Sequence, residues 1–191
     1  MRINQKLYIP VLFFLVLVSG LYSSALLADA MQDRRVAIAA TLFPRLVAVD
    51  ENLLEKIDQS EIVKLSLIYR DDLLKAEKIA EIVTHKVKKI GGKRVVVELI
   101  KIDKFPQLKN LNNSGIFISS PVSDLELEGI IKHANQSKIV CFSPFKGDVE
   151  RGVMAGIFVG AKIWPYINVR SMKSAQVNLK RALIRASKTY E

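Results

Sequence analysis

The polar side chains best suited to bind a ligand follow the ends of predicted strands, in the sequences Ser119-Ser120 and Ser143–Arg151. Hydroxyl, ammonium and guanidinium groups donate hydrogen bonds to anions, and free N–H groups at the start of a helix do the same. The residues predicted to form such a ligand-binding rim are Ser119, Ser120, Ser143, Lys146, Asp148 and Arg151. An alternative stays open, in which these side chains cap helices and stabilise turns.

Residue patterns that indicate catalysis are missing from the sequence. Its two histidines, His85 and His133, fall on predicted helices beside lysines, and neither has a partner at metal-ligand spacing. There is no Gly-x-Ser-x-Gly elbow and no Gly-x-x-x-x-Gly-Lys phosphate loop. Cys141, the one cysteine, lies in an apolar run and is predicted to be a buried hydrophobic residue. We therefore predict a protein that is not an enzyme, with no catalytic residues, no metal and no cofactor.

The chain is strongly basic, with 29 Lys and Arg against 19 Asp and Glu and a formal charge of +10. Such an excess attracts anionic partners. The cations are dispersed, however, and are not interleaved with aromatic residues as in nucleic-acid-binding surfaces. Nucleic acid is therefore not a predicted partner.

Residues 1–30 have the pattern of a secretory signal peptide. Arg2 and Lys6 precede the largely apolar Ile9–Leu21, and Ala28-Asp29-Ala30 supplies the small-residue motif that signal peptidase reads. Cleavage there predicts a single domain over residues 31–191, outside the cytoplasm. A retained membrane anchor is the alternative, and it would be the chain's only membrane contact.

Short apolar runs alternate with helical patterns through the middle of the chain. The predicted strands are Ile62–Tyr69, Val95–Ile102, Gly115–Ser119 and Ile139–Phe142. The predicted helices are Gln32–Ile57, divided at Pro44, a second one from Asp71-Asp72 to Ile90, and a third one from Ser123 or Asp124 to about Asn135. This alternation predicts an α/β fold with a mostly parallel, Rossmann-like sheet and helices on both faces.

The C-terminal part predicts an antiparallel hairpin followed by a terminal helix. Val153–Val159 and Lys162–Val169 are joined at Gly160-Ala161, which suits a tight turn. Pro165 cannot donate to a ladder, so its strand is predicted to be bulged or to lie at an edge. After Asn168, apolar residues recur at helical spacing up to Ala186.

The same part of the chain resembles a known family. Gly152–Ile157, Tyr166-Ile167-Asn168 and Lys173–Ala186 are similar to the closing strand, Ile-Asn and helix signature of the YfiR/HmsC family of periplasmic regulatory proteins. The resemblance implies a periplasmic protein that acts by binding. Its implied partner is an inner-membrane sensor, such as a diguanylate cyclase whose cyclic-di-GMP output it controls.

Two functions follow from these patterns. In the first, an aromatic patch of Phe43, Trp164 and Tyr166 docks on the inner-membrane sensor or cyclase, with a homodimer as a further partner. In the second, the chain is a small-ligand or anion receptor that resembles one lobe of an ABC-type substrate-binding protein.

Overall fold

The computed structural model describes residues 29–57, 61–107 and 112–191. The chain divides into two compact units, Met1–Arg35 and Val36–Glu191. In the first unit, residues 29–35 are described and are helical. The predicted signal peptide lies outside the described residues except for positions 29 and 30, so it stays a prediction. No helix in the described ranges is both long and apolar enough to span a membrane.

The second unit is built on one sheet of eight strands. They are β1 Ile62–Tyr69, β2 Lys89–Ile90, β3 Lys93–Lys101, β4 Gly115–Ile118, β5 Val140–Ser143, β6 Ala155–Val159, β7 Ile163–Asn168 and β8 Lys188–Tyr190. Their order is β2-β3-β1-β4-β5-β6-β7-β8. The five neighbouring strands β3, β1, β4, β5 and β6 are mutually parallel, and β7 is antiparallel to β6. The predicted mostly parallel sheet with a C-terminal hairpin is confirmed.

Helices cover both faces of this sheet, as predicted. They are α1, residues 36–48, α2 Leu73–Lys86, α3 Asp124–Gln136, α4 Val169–Ser174 and α5 Arg181–Arg185. Strand side chains alternate between two buried clusters: Phe117 belongs to the cluster of α1 and α2, while Ile116 and Ile118 belong to that of α3. A strand buried on both faces reads as a continuous apolar run, which is why the central strands were recognisable.

α1 packs tightly against the middle of the sheet. An ideal Cβ on Gly115 would lie 2.8 Å from Val47 Cγ2, so a glycine is required for this approach. Phe43 is only 1% exposed, with its ring centroid 5.4 Å from that of Phe117 and 6.0 Å from that of Phe142. The prediction that Phe43 belongs to a surface patch is wrong, because its ring fills the core beneath β4 and β5. Pro44 does not divide the helix either, since helical conformation continues to residue 48.

The second predicted helix is shorter than expected. It ends at Lys86, and Val87 is already extended. Lys89–Ile90 then pairs with Lys93 and Arg94 as a hairpin. Its two-residue turn is Gly91-Gly92, with φ values of +56° and +82°. Both glycines adopt the positive φ that such turns demand, so they mark a hairpin and not the end of a helix.

The predicted terminal helix is also wrong. It is broken into α4 and α5, and the residues between them pair with the segment that follows α1: Asp50 bridges Leu179, and Lys180 N–H donates to Val49 O. That pairing requires an extended backbone, and it buries Val177 and Leu179. The chain ends in β8, which is parallel to β7 over Tyr166–Asn168. Pro165 lies just beyond the part of β7 that β8 covers.

Candidate binding surfaces

The order of the parallel strands places a topological switch point between β1 and β4. From β1 the chain continues to β3 on one side, and the following strand β4 lies on the other side. Folds of this type bind ligands in the crevice outside the carboxyl ends of the strands at that point. The residues that leave these ends are Arg70 after β1 and Ser119-Ser120-Pro121 after β4.

Arg70 ties the two loops at the switch point together. Its backbone N–H donates to Ser120 Oγ at 3.3 Å, and its Nε–H donates to Pro121 O at 3.2 Å. Its Nη2 pairs with Glu126 Oε2 at 2.5 Å, and both side chains are partly exposed. The switch point therefore holds a guanidinium that already has a carboxylate partner.

The first turn of α3 is capped by its own side chains. Glu126 N–H donates to Ser123 Oγ at 3.4 Å, and Ser123 N–H donates to Glu126 Oε2 at 2.7 Å, which together form a capping box. The Arg70 guanidinium, followed by the Ser123 N–H, holds the pKa of Glu126 below its usual value. At the start of α2, Lys75 N–H donates to Asp72 Oδ1 at 2.8 Å. An anion was predicted at such N–H groups. In the structure, the Glu126 and Lys75 N–H groups donate instead to the Ser123 hydroxyl and the Asp72 carboxylate.

A second polar cluster lies at the end of β5. Ser143 is 0% exposed; its Oγ accepts from Phe145 N–H at 3.2 Å and donates to Asp148 Oδ2 at 2.5 Å. Arg151 Nη1 donates to Asp148 Oδ1 at 3.0 Å, and Nη2 pairs with Asp124. Burial raises the pKa of Asp148, while the bonds from Ser143 and Arg151 oppose that rise. In this cluster, the turn after β5 surrounds the buried Asp148 carboxylate, and the Arg151 guanidinium compensates its charge.

α3 connects the two clusters, because its first turn carries both Asp124 and Glu126. One carboxylate pairs with Arg151 and the other with Arg70. Charged side chains therefore join the ends of β1, β4 and β5 in one continuous chain of contacts. This arrangement fixes the loops relative to one another.

The structure separates the predicted rim residues into four locations. It brings Ser143, Asp148 and Arg151 together, and it places Ser120 at the switch point. Ser119 is buried and turned away, with Oγ donating to Ile68 O at 2.8 Å. Lys146 is exposed in the turn after β5.

Three residues of these clusters were not predicted to be site residues: Arg70, Asp124 and Glu126. A signal for Glu126 was present, because Ser123-Asp124-Leu125-Glu126 matches the capping-box pattern that places an acid in the first turn. Nothing in the sequence links Arg70 to a partner 56 positions away.

Reactive groups in the described residues are poorly placed for chemistry. Burial raises the pKa of the Cys141 thiol, and the nearby Asp148 carboxylate raises it further. Burial lowers the pKa of His133, whose ring lies edge-on to Phe105 at 5.4 Å. The Ser143 hydroxyl is bonded to a carboxylate but has no solvent-accessible surface to meet a substrate. Within the described ranges, no group of three His, Cys, Asp or Glu side chains could hold a metal ion.

The outer half of the β6–β7 hairpin is a second candidate surface. β5 pairs with β6 only at Ala155 and Gly156, and β8 pairs with β7 only from Tyr166 onward. Residues 157–165 therefore form a two-stranded ribbon with no other described strand beside it. We call these residues the ribbon.

Apolar side chains are exposed on both faces of the ribbon. Trp164 is 44% exposed and lies opposite Phe158, while Val159 and Ile163, 49% and 40% exposed, lie opposite each other on the other face. Tyr166 shares the face of Trp164 but is only 9% exposed. Of the three predicted anchors, Trp164 alone presents its side chain to solvent to a large extent.

The aromatic face of the ribbon continues onto β8. The Phe158 and Tyr166 ring centroids lie 6.0 Å apart, and those of Tyr166 and Tyr190 lie 6.5 Å apart, each pair edge to face. Lys188 Nζ lies 3.4 Å from the centroid of Phe158, at cation–π distance. These contacts pack Phe158 and Tyr166 against the C-terminal strand β8.

Comparisons with known proteins agree with the fold. No protein-family model matches the chain, and no curated protein matches it. It is similar to a conserved domain protein from Vibrio cholerae O1 biovar El Tor, with a TM-score of 0.52, 16% identity, and coverage of 72% of this chain and 58% of that chain. It is also similar to an ABC domain from Streptococcus pneumonia solved in complex with L-Trp, with a TM-score of 0.56, 8% identity, and coverage of 79% and 61%.

These likenesses define a class and no more. The chain is a Rossmann-like α/β protein whose sheet is completed by a C-terminal hairpin. It spans less than two thirds of the length of either similar structure. At such low identity the similarity concerns the fold alone.

Proposed function

We propose that this chain is a periplasmic regulatory protein that acts by docking on an inner-membrane signalling protein. The partner class, a diguanylate cyclase or a similar sensor, comes from the resemblance of the C-terminal part to the YfiR/HmsC family. The observation that carries the proposal is the ribbon, which exposes Trp164, Ile163 and Val159 beyond the neighbouring strands. Aromatic side chains dominate the energetics of protein interfaces, so Trp164 is the natural anchor.

The ion pairs at the carboxyl ends of β1, β4 and β5 favour protein docking over the binding of a small anion. Arg70 at the switch point and Arg151 after the end of β5 are already paired with carboxylates. A small anion bound to these guanidinium groups would therefore compete with Glu126 or Asp124 for them. A protein partner on the ribbon would have no such competition.

Truncation of the ribbon tests this proposal. We expect that Ile163→Ser combined with Trp164→Ala will abolish capture of an inner-membrane signalling protein by the tagged chain from detergent-solubilised membranes. Leu125→Ala is the matched control, because Leu125 is also exposed but lies on α3. Tyr166 is unsuitable for this test, since its burial means that truncation would also destabilise the sheet.

A cellular readout adds the direction of control. Loss of docking should raise cyclic-di-GMP in cells that carry the double ribbon variant and leave it unchanged with Leu125→Ala. Equal capture and equal cyclic-di-GMP for the ribbon variant and the parent chain would contradict the proposal.

A second candidate is a receptor for a small anionic or amino-acid ligand. It is favoured by the guanidinium of Arg70 at the switch point, and the similar pneumococcal domain was solved with L-Trp. Thermal unfolding against a panel of amino acids and small anions distinguishes the two functions. Saturable stabilisation that Arg70→Ala abolishes would favour the receptor, whereas a flat response together with ribbon-dependent capture would favour docking.

A further inference from the structure

The edge of the sheet opposite the ribbon carries a strand that is only partly covered. β2 pairs with β3 at Lys93 and Arg94 alone, and Val95 N–H donates to Lys88 O at 3.0 Å. Beyond Val95, no strand of the described ranges lies on that side of β3. Backbone groups point to alternate sides along a strand, so the N–H groups of Val97 and Leu99 point outward like that of Val95.

A groove follows this open edge. It lies between α2 and β3, has a volume of about 480 Å³, and is lined on the strand side by Val95, Val97 and Leu99. Glu77, Ala80, Glu81 and Thr84 line the α2 side. A groove beside unpaired strand backbone has the shape that an added strand requires, with room for its alternate side chains.

The groove opens at the end of α2 into a larger basic groove of about 790 Å³. The two share Glu81, Thr84 and Val95, so they are continuous. The cations that line the larger groove are Lys78, Lys86, Lys88 and Arg94, all exposed. No described carboxylate forms an ion pair with any of these four, whereas Arg70 and Arg151 at the carboxyl ends of the strands are paired.

We propose that the free edge of β3 binds an extended, acidic segment of a partner protein as an additional strand. Main-chain bonds to Val97 and Leu99 provide affinity, and apolar side chains of the segment contact the Val97 and Leu99 side chains in the groove. Carboxylates at one end of the segment pair with the cations of the basic groove. Unpaired strand edges are sites of such additions unless they are covered or charged. This edge is apolar at Val96, Val97 and Leu99 and carries one exposed carboxylate between them, Glu98.

This inference goes beyond ribbon docking and does not depend on it. β3 and β7 lie near opposite edges of the sheet, so one partner strand cannot engage both. The chain's own charge of +10 disfavours a second copy as the acidic occupant.

A panel of synthetic octapeptides tests the proposal directly. Each peptide carries two or three glutamates at one end and alternating Val and Thr in the remainder, with a matched set in which Lys replaces Glu. Fluorescence anisotropy of the labelled peptides should show saturable binding of the acidic set to the full chain. The lysine set should bind at least about tenfold more weakly, the effect expected for losing a charge-assisted contact.

Variants locate the binding site on the edge. Val97→Pro removes an outward N–H, and Lys86→Glu with Lys88→Glu reverses two cations of the groove. Each change should weaken binding about tenfold or more. Lys132→Glu reverses an exposed charge on α3, which covers the opposite face of the sheet. It should leave the affinity within about twofold of that of the parent chain. If Val97→Pro fails to fold, Thr84→Trp fills the groove from an exposed helix position instead.

Amide hydrogen exchange gives an independent readout. Addition of the acidic peptide should slow exchange at Val97 and Leu99 N–H, and Trp164→Ala should not alter the binding. Three outcomes would overturn the proposal: no binding by any peptide at millimolar concentration, equal binding of both charge sets, or self-association of the chain that Val97→Pro abolishes. The last result would make a second copy the occupant.

Discussion

Replacement of Gly156 by alanine tests how closely β5 and β6 approach beside the polar cluster of Ser143. Gly156 pairs with Ser143 across the two strands. An ideal Cβ at this glycine would lie 2.6 Å from Ser143 O and 2.7 Å from Val149 Cγ2. Real Cβ atoms do not approach a carbonyl oxygen this closely, so the strands would have to separate.

The expected cost follows from what surrounds the added methyl group. Extra methyl groups in a packed core typically cost about 1–3 kcal/mol. Here the obstructing atom is the backbone oxygen of Ser143, a buried residue whose side chain also donates to Asp148. We therefore expect a loss of about 3 kcal/mol or more in the free energy of unfolding. Part of this loss should come from misalignment of the bond between Ser143 and Asp148.

Gly129→Ala is the matched control because it makes the same chemical change without an obstacle. No atom lies within 4 Å of an added Cβ, and the residue is exposed within α3. Alanine is favoured over glycine inside helices by roughly 0.5–1 kcal/mol. The two variants should therefore shift stability in opposite directions.

Thermal unfolding followed by circular dichroism measures both variants. At roughly 2–4 °C per kcal/mol for a chain of this size, their melting temperatures should differ by about 10 °C. A Gly156→Ala protein as stable as the parent chain, or a Gly129→Ala protein that is the less stable of the two, would refute the reasoning about the strand contact.

Two further predictions concern the charged chain along the carboxyl edge. Ser143→Ala removes a donor to the buried Asp148 carboxylate and should cost about 1–3 kcal/mol in the free energy of unfolding at pH 7. This cost should shrink as Asp148 protonates in acid, which urea titrations at several pH values would show. Ser119→Ala is the control that should lack this trend, because the Ser119 hydroxyl donates to a backbone carbonyl. Glu126 has a lowered pKa in the folded chain, so its contribution is complete above the unfolded pKa and is lost as the pH falls through the folded one. The stability gap between the parent chain and Glu126→Gln should therefore narrow as the pH falls from neutral through the unfolded pKa of about 4.3. Glu128→Gln is an exposed control on the same helix, and a gap that stays constant would contradict the assigned pairing with Arg70.

The central strands and α3 were predictable because each is specified by local signals. β1, β4 and β5 are apolar on both faces, and Ser123 with Glu126 marks the start of α3. The hairpin was predictable for the same reason. Local patterning therefore determines the central strands, the hairpin and α3.

The conformation of the C-terminal segment could not be predicted from its own residue pattern. Val177 and Leu179 fit a helical stripe, yet they are buried in an extended segment whose backbone pairs with Val49–Glu51. That pairing spans well over a hundred residues and has no signature near either partner. Tertiary contacts therefore override helical propensity at this point.

The candidate surfaces were predictable in part. Ser143, Asp148 and Arg151 were selected by their position after a strand, and they do meet. Arg70 and Glu126 were missed because their partnership depends on which strands become neighbours. Phe43 was misplaced although it shares a helical apolar stripe with Ala39, Ala40 and Val47, which is the pattern of a helix side that faces the core.

The position of Trp164 also makes the chain a self-reporting probe. It is the sole tryptophan of the sequence, and it lies partly exposed on the ribbon. An occupant that covers the ribbon would transfer the indole from water to an apolar setting and move its emission toward the blue. Occupation of the β3 edge would leave the emission unchanged, so a single unlabelled sample can tell the two events apart.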